Sequence, residues 1–217
     1  MTTRPRVKVC CIASVEEMRT AVECGASAVG LVSAMPSGPG VIPEELIAEI
    51  AARVPPTVAT FLLTCEQDAD AIVEQQRRCG VNTLQLCDRV ERGVHARLRA
   101  RLRGVSIVQV IHVGGEESYE EALSVAPHVD ALLLDSGNQN LAVKELGGTG
   151  RTHDWRLSRR IVEASRAPVF LAGGLKDENV ADAIATVRPF GLDVCSGVRT
   201  DGRLDASKLK RFFAHTV

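Results

Sequence analysis

Eight short apolar runs recur at nearly even spacing along this chain, at 7–11, 28–32, 58–63, 83–86, 107–111, 131–134, 169–171 and 191–195. Each is too short for a helix, and most are rich in β-branched residues. The stretches between them carry helical spacing, as in Val15, Met18 and Val22 or Leu46, Ile47 and Ile50. Strand then helix, repeated eight times, predicts parallel pairing and a closed (β/α)8 TIM barrel. The 217 residues lie near the lower limit for that architecture, so insertions have to be few and 1–217 reads as one domain.

Composition excludes several functions. Net charge is −1, with Lys and Arg dispersed except in the RLRARLR pattern at 97–103. Leu98 and Leu102 stand four apart there, so the pattern reads as an amphipathic helix with its arginines in water, and no nucleic-acid partner is expected. No stretch reaches the length of a membrane span, and the first residues lack the order of a signal peptide, so a cytoplasmic location is expected. Seven cysteines without Cys-x-x-Cys spacing speak against a disulfide framework and a zinc site, and most read as small buried hydrophobes.

In barrels of this kind chemistry sits at the C-terminal ends of the strands. The candidates there are Cys10 and Cys11, Gln85 with Cys87 and Asp88, His112, Asp135 and Ser136, and Asp193 with Cys195 and Ser196. His112 reads as a local hydrogen-bonding group, and Asp193 as a loop-orienting acid ahead of substrate contact. Glycine clusters at Gly147, Gly148 and Gly150, at Gly173 and Gly174, and at Gly197 put bare backbone on neighbouring loops, with a helix expected to begin near Asp177. A shared anion site, with phosphate as its guest, follows. Trp155 reads as a packing anchor.

The segments VKVCCI (7–12), GASAVGLV (25–32), LQL (84–86), LLLDS (132–136), GGTG (147–150), HDW (153–155), LAGGLKDENVADAI (171–184) and GLDVCSGV (191–198) resemble the phosphoribosylanthranilate isomerase family of tryptophan biosynthesis. The resemblance runs from the first strand to the last helix. It implies an Amadori rearrangement of a phosphorylated aminoaldose with no metal or organic cofactor. It maps the general base onto Cys10, in the position of the family's Lys-x-Cys-Gly-Ile motif, and the general acid onto Asp135. It places phosphate at Gly148, Gly150, Gly173, Gly174, Ser196 and Gly197, with Lys8, Gln85, Asp193 and Arg199 as possible substrate contacts. Lys8 is a weak source of positive charge for Cys10, and Asp135 needs burial or a nearby anion to hold its proton.

Departures from the family pattern cluster around the aglycone. Where the family carries Ser-Pro-Arg, this chain has Gly38-Pro39-Gly40, and the family's Gln-Leu-His-Gly becomes Gln85-Leu86-Cys87-Asp88. The glycine after the base becomes Cys11, and a frequent glutamate becomes Arg199, a candidate extra cation for the phosphate. Loss of the arginine corresponds to about 1.5–3 kcal/mol of charge-assisted hydrogen bonding. Two alternatives therefore stand beside the isomerase: a paralogue processing a different phosphorylated sugar, and a phosphosugar-binding protein, against which the retention of both Cys10 and Asp135 speaks. Monomer and homodimer remain equally open.

Overall fold

The computed structural model, described over residues 4–138 and 140–216, closes eight parallel strands in sequence order into a barrel: β1 (Arg6–Val9), β2 (Ala28–Val32), β3 (Ala59–Thr64), β4 (Thr83–Leu86), β5 (Ser106–His112), β6 (Ala131–Asp135), β7 (Val169–Leu171) and β8 (Gly191–Val194). Residues 1–3, 139 and 217 of the expected domain lie outside the described ones. Eight helices follow the strands: α1 (Val15–Glu23), α2 (Glu44–Ala51), α3 (Ala69–Cys79), α4 (Val94–Arg101), α5 (Glu116–Val125), α6 (Trp155–Ala164), α7 (Val180–Val187) and α8 (Ala206–Ala214). A small hairpin, β9 (Arg199–Thr200) with β10 (Arg203–Leu204), separates β8 from α8. Among the described residues no helix is long and apolar enough to cross a membrane.

Local sequence explains where the helices begin. Ser14, Asp68, Asp154 and Asp205 each accept hydrogen bonds from first-turn amides of α1, α3, α6 and α8, satisfying donors that the helix cannot. Gly80 closes α3 in the left-handed conformation that glycine adopts without a Cβ clash. The arginine-rich pattern behaves as expected: Leu98 and Leu102 are buried, while Arg99 and Arg101 pair with Asp130 and Asp70 outside the core.

The two-residue period of each strand divides the core into two layers. Val9, Leu31, Leu62, Leu84, Ile111, Leu134, Leu171 and Val194 pack between strands and helices. Ala28, Phe61, Val108, Val110, Leu133 and Phe170 fill the barrel itself, with Phe61 set edge-on to Phe170.

Two expected boundaries are corrected. The first strand ends at Val9, not at 11, because Cys11 takes a φ of 60°, which a strand cannot continue. The helix expected near Asp177 begins at Val180. Asn179 instead organises the preceding turn, accepting from the Lys176 amide and donating to the Gly174 carbonyl.

Candidate active site

One cavity opens at the C-terminal end of the barrel and encloses about 670 Å³ of empty space, part of it open to solvent. Its wall brings together Cys10 from the end of β1, Gln85 from β4, Asp135 from β6, Asp193 from β8, and the glycine loops. Eight separate chain segments meet here because parallel strands all end on one face.

Lys8 and Asp193 face each other in the register that joins the first strand to the last, and Lys8 Nζ lies 2.8 Å from Asp193 Oδ2. Lys8 is fully buried inside the barrel, with its ammonium 5.3 Å from the Phe61 ring centre. Burial opposes its charge, but Asp193, with help from Cys10, outweighs that and holds its pKa above the ordinary lysine value. Gly30 makes room for the pair: a Cβ there would stand 2.9 Å from Cys10 Sγ and 3.0 Å from Lys8 Nζ. The lysine and the thiol therefore share one small space, which supplies the positive charge near Cys10. Lys8 donates to Asp193 and does not itself line the cavity.

Asp135 is buried, and desolvation pushes its pKa up, against the Ser136 amide and His112 that pull it down. A carboxyl in that state keeps a proton far better than a surface aspartate. The GGTG loop covers it, since a Cβ on Gly147 would approach Asp135 Oδ2 to 3.0 Å. His112, beside Asp135 in register, gives one ring nitrogen to the Cys87 carbonyl at 3.0 Å, the local role read from sequence. Two buried acceptors in the cavity wall have no partner among the described residues: Gln85 Oε1 and Asp193 Oδ1. Such groups are costly unless something donates to them.

The glycine loops converge. Gly150 lies across from the Ser196 hydroxyl, Gly174 packs on the backbone of Arg151 and Thr152, and Gly197 meets the Leu175 carbonyl so closely that no side chain fits. Gly150, Gly173 and Gly174 all hold positive φ. Among the described residues the N–H groups of Gly173, Gly174 and Gly197 donate to no acceptor in the chain. Gly197 sits behind the turn and does not line the cavity, whereas Gly148, Gly150, Gly173, Gly174 and Ser196 do.

Three positions set apart in the sequence have structural explanations. Arg199 is held by Glu17 at 3.1 Å and by the carbonyls of Cys10, Cys11 and Gly202, outside the cavity wall. Asp88 does not add a free negative charge, because Lys144 pairs with it away from the cavity. The missing arginine at Gly40 has a steric reason. Gly40 has a φ of +82°, and its Cβ would fall 2.5 Å from Cys11 Cβ, so the Cys11 side chain occupies the space that a residue at 40 would need. Trp155 begins α6 and packs against the core as an anchor.

Sequence reasoning missed the Lys8–Asp193 pair and the contact between Cys11 and Cys195, whose sulfurs lie 2.7 Å apart. The only available signal was the closure of the barrel, which sets the first strand beside the last. Among the described residues no group of His, Cys, Asp and Glu has the geometry of a metal site.

The model of the N-(5'-phosphoribosyl)anthranilate isomerase family matches residues 7–215. An N-(5'-phosphoribosyl)anthranilate isomerase from Haloferax volcanii is 38% identical over 96% of this chain and 91% of its own length, and one from Methanocella arvoryzae is 33% identical over 98% and 97%. The crystal structure of phosphoribosyl anthranilate isomerase from Thermotoga maritima superposes with a TM-score of 0.84 at 30% identity, covering 98% of both chains. A phosphoribosyl anthranilate isomerase in complex with reduced 1-(o-carboxyphenylamino)-1-deoxyribulose 5-phosphate gives 0.81 at 29%, again over 98% of both. Barrel, cavity and sequence likeness agree over nearly the whole chain, which belongs to the N-(5'-phosphoribosyl)anthranilate isomerase family of aldose–ketose isomerases.

Proposed function

We propose that this chain isomerises N-(5'-phosphoribosyl)anthranilate to 1-(o-carboxyphenylamino)-1-deoxyribulose 5-phosphate, with Asp135 as general acid and Cys10 as general base. The observation that carries the reading is the presence of both groups in the wall of one cavity that also holds the open glycine loops. Asp135, kept protonated by burial, delivers its proton to the ribose ring oxygen, and the ring opens to an iminium ion. Cys10, as thiolate, removes the C2′ proton to give an enolamine, which tautomerises to the ketone. Lys8 shares the notch at Gly30 with Cys10 and acts as a positioning residue by holding Asp193. Asp193 Oδ1 and Gln85 Oε1 are free to accept sugar hydroxyls. The phosphate rests on Gly148, Gly150, Gly173, Gly174 and Ser196, with Gly197 shaping the turn from behind.

The test is turnover of phosphoribosylanthranilate, followed as loss of its fluorescence. Cys10→Ser and Asp135→Asn are each expected to lower kcat by about a thousandfold while leaving ligand affinity within a fewfold. In the wild type, kcat falls as pH rises through the raised pKa of Asp135. Turnover that survives both substitutions overturns the assignment.

A second reading is favoured by one observation: among the described residues no Lys, Arg or His lines the cavity, so none of them offers a cation to an aryl carboxylate. A related phosphoribosyl amine lacking that carboxylate is the alternative substrate, and competition between the two discriminates.

A further inference from the structure

We propose that Cys11 and Cys195 form a peroxide-reactive dithiol in the cavity wall that closes reversibly to an intramolecular disulfide. The inference is independent of the isomerase reading, since it needs only two thiols and their access to solvent. Their sulfurs lie 2.7 Å apart, against about 2.05 Å in a disulfide bond. The barrel fixes this closeness: the Cys10 amide donates to the Val194 carbonyl at 2.8 Å, pinning the two segments one residue before each cysteine. Both residues line the cavity, so a small oxidant entering it meets them.

The electrostatics separate the two roles. The hydrogen bond with Cys11 holds the Cys195 thiol below its ordinary pKa, against burial and with help from Arg199, whose Nε is buried without another acceptor. The Cys11 thiol is pushed up, by hydrogen bonding with Cys10 and Cys195 and by burial. The Arg199 guanidinium beside Cys195 makes it the attacking thiol and leaves Cys11 as the resolving one. The Cys195 sulfur attacks one oxygen of a hydroperoxide, the O–O bond breaks, and the departing oxygen leaves as an alcohol, or as water from hydrogen peroxide. The Cys195 sulfenic acid is then attacked by the Cys11 sulfur, which gives up its proton as the S–O bond breaks and water departs. Two thiols lose two electrons, and one hydroperoxide gains them. A small reducing thiol restores the pair by exchange.

The test treats folded, reduced protein with hydrogen peroxide, alkylates the remaining thiols, and maps peptides by mass. The expected first product is a Cys11–Cys195 cross-linked peptide, two hydrogens lighter and reversed by dithiothreitol, formed while the partly exposed Cys24 and Cys65 still alkylate. Cys195→Ser abolishes it. Cys11→Gly, which suits the positive φ at that position, leaves an unresolved sulfenic acid at Cys195 that dimedone captures. First oxidation at Cys24 or Cys65, or intact thiols at 11 and 195 when the other cysteines have reacted, overturns the proposal.

Discussion

The two sides of the cavity are built by opposite means. On the β7–β8 side the wall is backbone: Gly173, Gly174, the Ser196 turn and the overlying GGTG loop expose amides and few side chains. On the β2–β4 side it is side chain and mostly apolar, with Val32, Met35, Pro39, Leu63 and Cys87. A backbone site tolerates almost no change, because a methyl group strikes main chain at Gly174 and Gly197. An apolar wall tolerates a great deal, because shape and volume are all it specifies. The difference teaches why the departures from the family pattern gather at Gly40, Cys87 and Asp88 and spare the glycine turns.

The largest effect lies beneath both sides, at the buried ion pair. Lys8→Met leaves Asp193 buried and unpaired, and is expected to cost about 3–5 kcal/mol of stability in urea unfolding. The double change with Asp193→Leu should recover most of it. A small loss in the single variant would mean that the pair does not hold the two sides in register.

Next is acid. His153 sits beneath the glycine side, with a ring nitrogen 2.7 Å from the Ser158 hydroxyl, and burial lowers its pKa to about 4. Between that value and the ordinary 6.5 the unfolded chain binds a proton that the folded one refuses, so stability falls as pH drops through this window, by about 3 kcal/mol in all. Urea midpoints at neutral and mildly acid pH should separate, and His153→Asn should shrink the gap. An equal gap in the variant would place the acid sensitivity elsewhere.

Gly174→Ala probes the backbone wall directly. A left-handed φ of +62° and a Cβ 2.8 Å from the Arg151 carbonyl carbon predict about 1–2 kcal/mol of strain. The expected readout is a KM raised about tenfold for a phosphorylated substrate. Unchanged KM would separate this turn from phosphate binding. Smallest is the other side. Replacing the aryl carboxylate by hydrogen in the substrate should alter kcat/KM by less than about tenfold, since no cation is there to lose. A hundredfold change would reveal a carboxylate receptor and erase the contrast.

Strand count, order and the converging glycine loops were legible because they depend on local period and on glycine chemistry, both written along the chain. Cys10 and Asp135 were legible as strand-end candidates, and the roles proposed for them only through a motif. The Lys8–Asp193 pair was not, because a separation of 185 residues becomes 2.8 Å only when β1 hydrogen-bonds to β8. The partner of Arg199 was hidden for a related reason. Its neighbours in sequence belong to the glycine turn, but its side chain crosses to Glu17 in α1. Gly40 could be seen as a lost arginine, yet its compensation by Cys11 appears only where two loops touch.

Gly30 carries a consequence for how such a chain can change over time. A Cβ there would fall 2.9 Å from Cys10 Sγ and 3.0 Å from Lys8 Nζ, so a larger residue at 30 enters only where both side-chain ends give way. Positions 8, 10 and 30 thus share one notch, and a lineage that enlarges the third has to adjust the other two with it. The smallest residue in the barrel thereby sets the terms on which its buried charge can be exchanged.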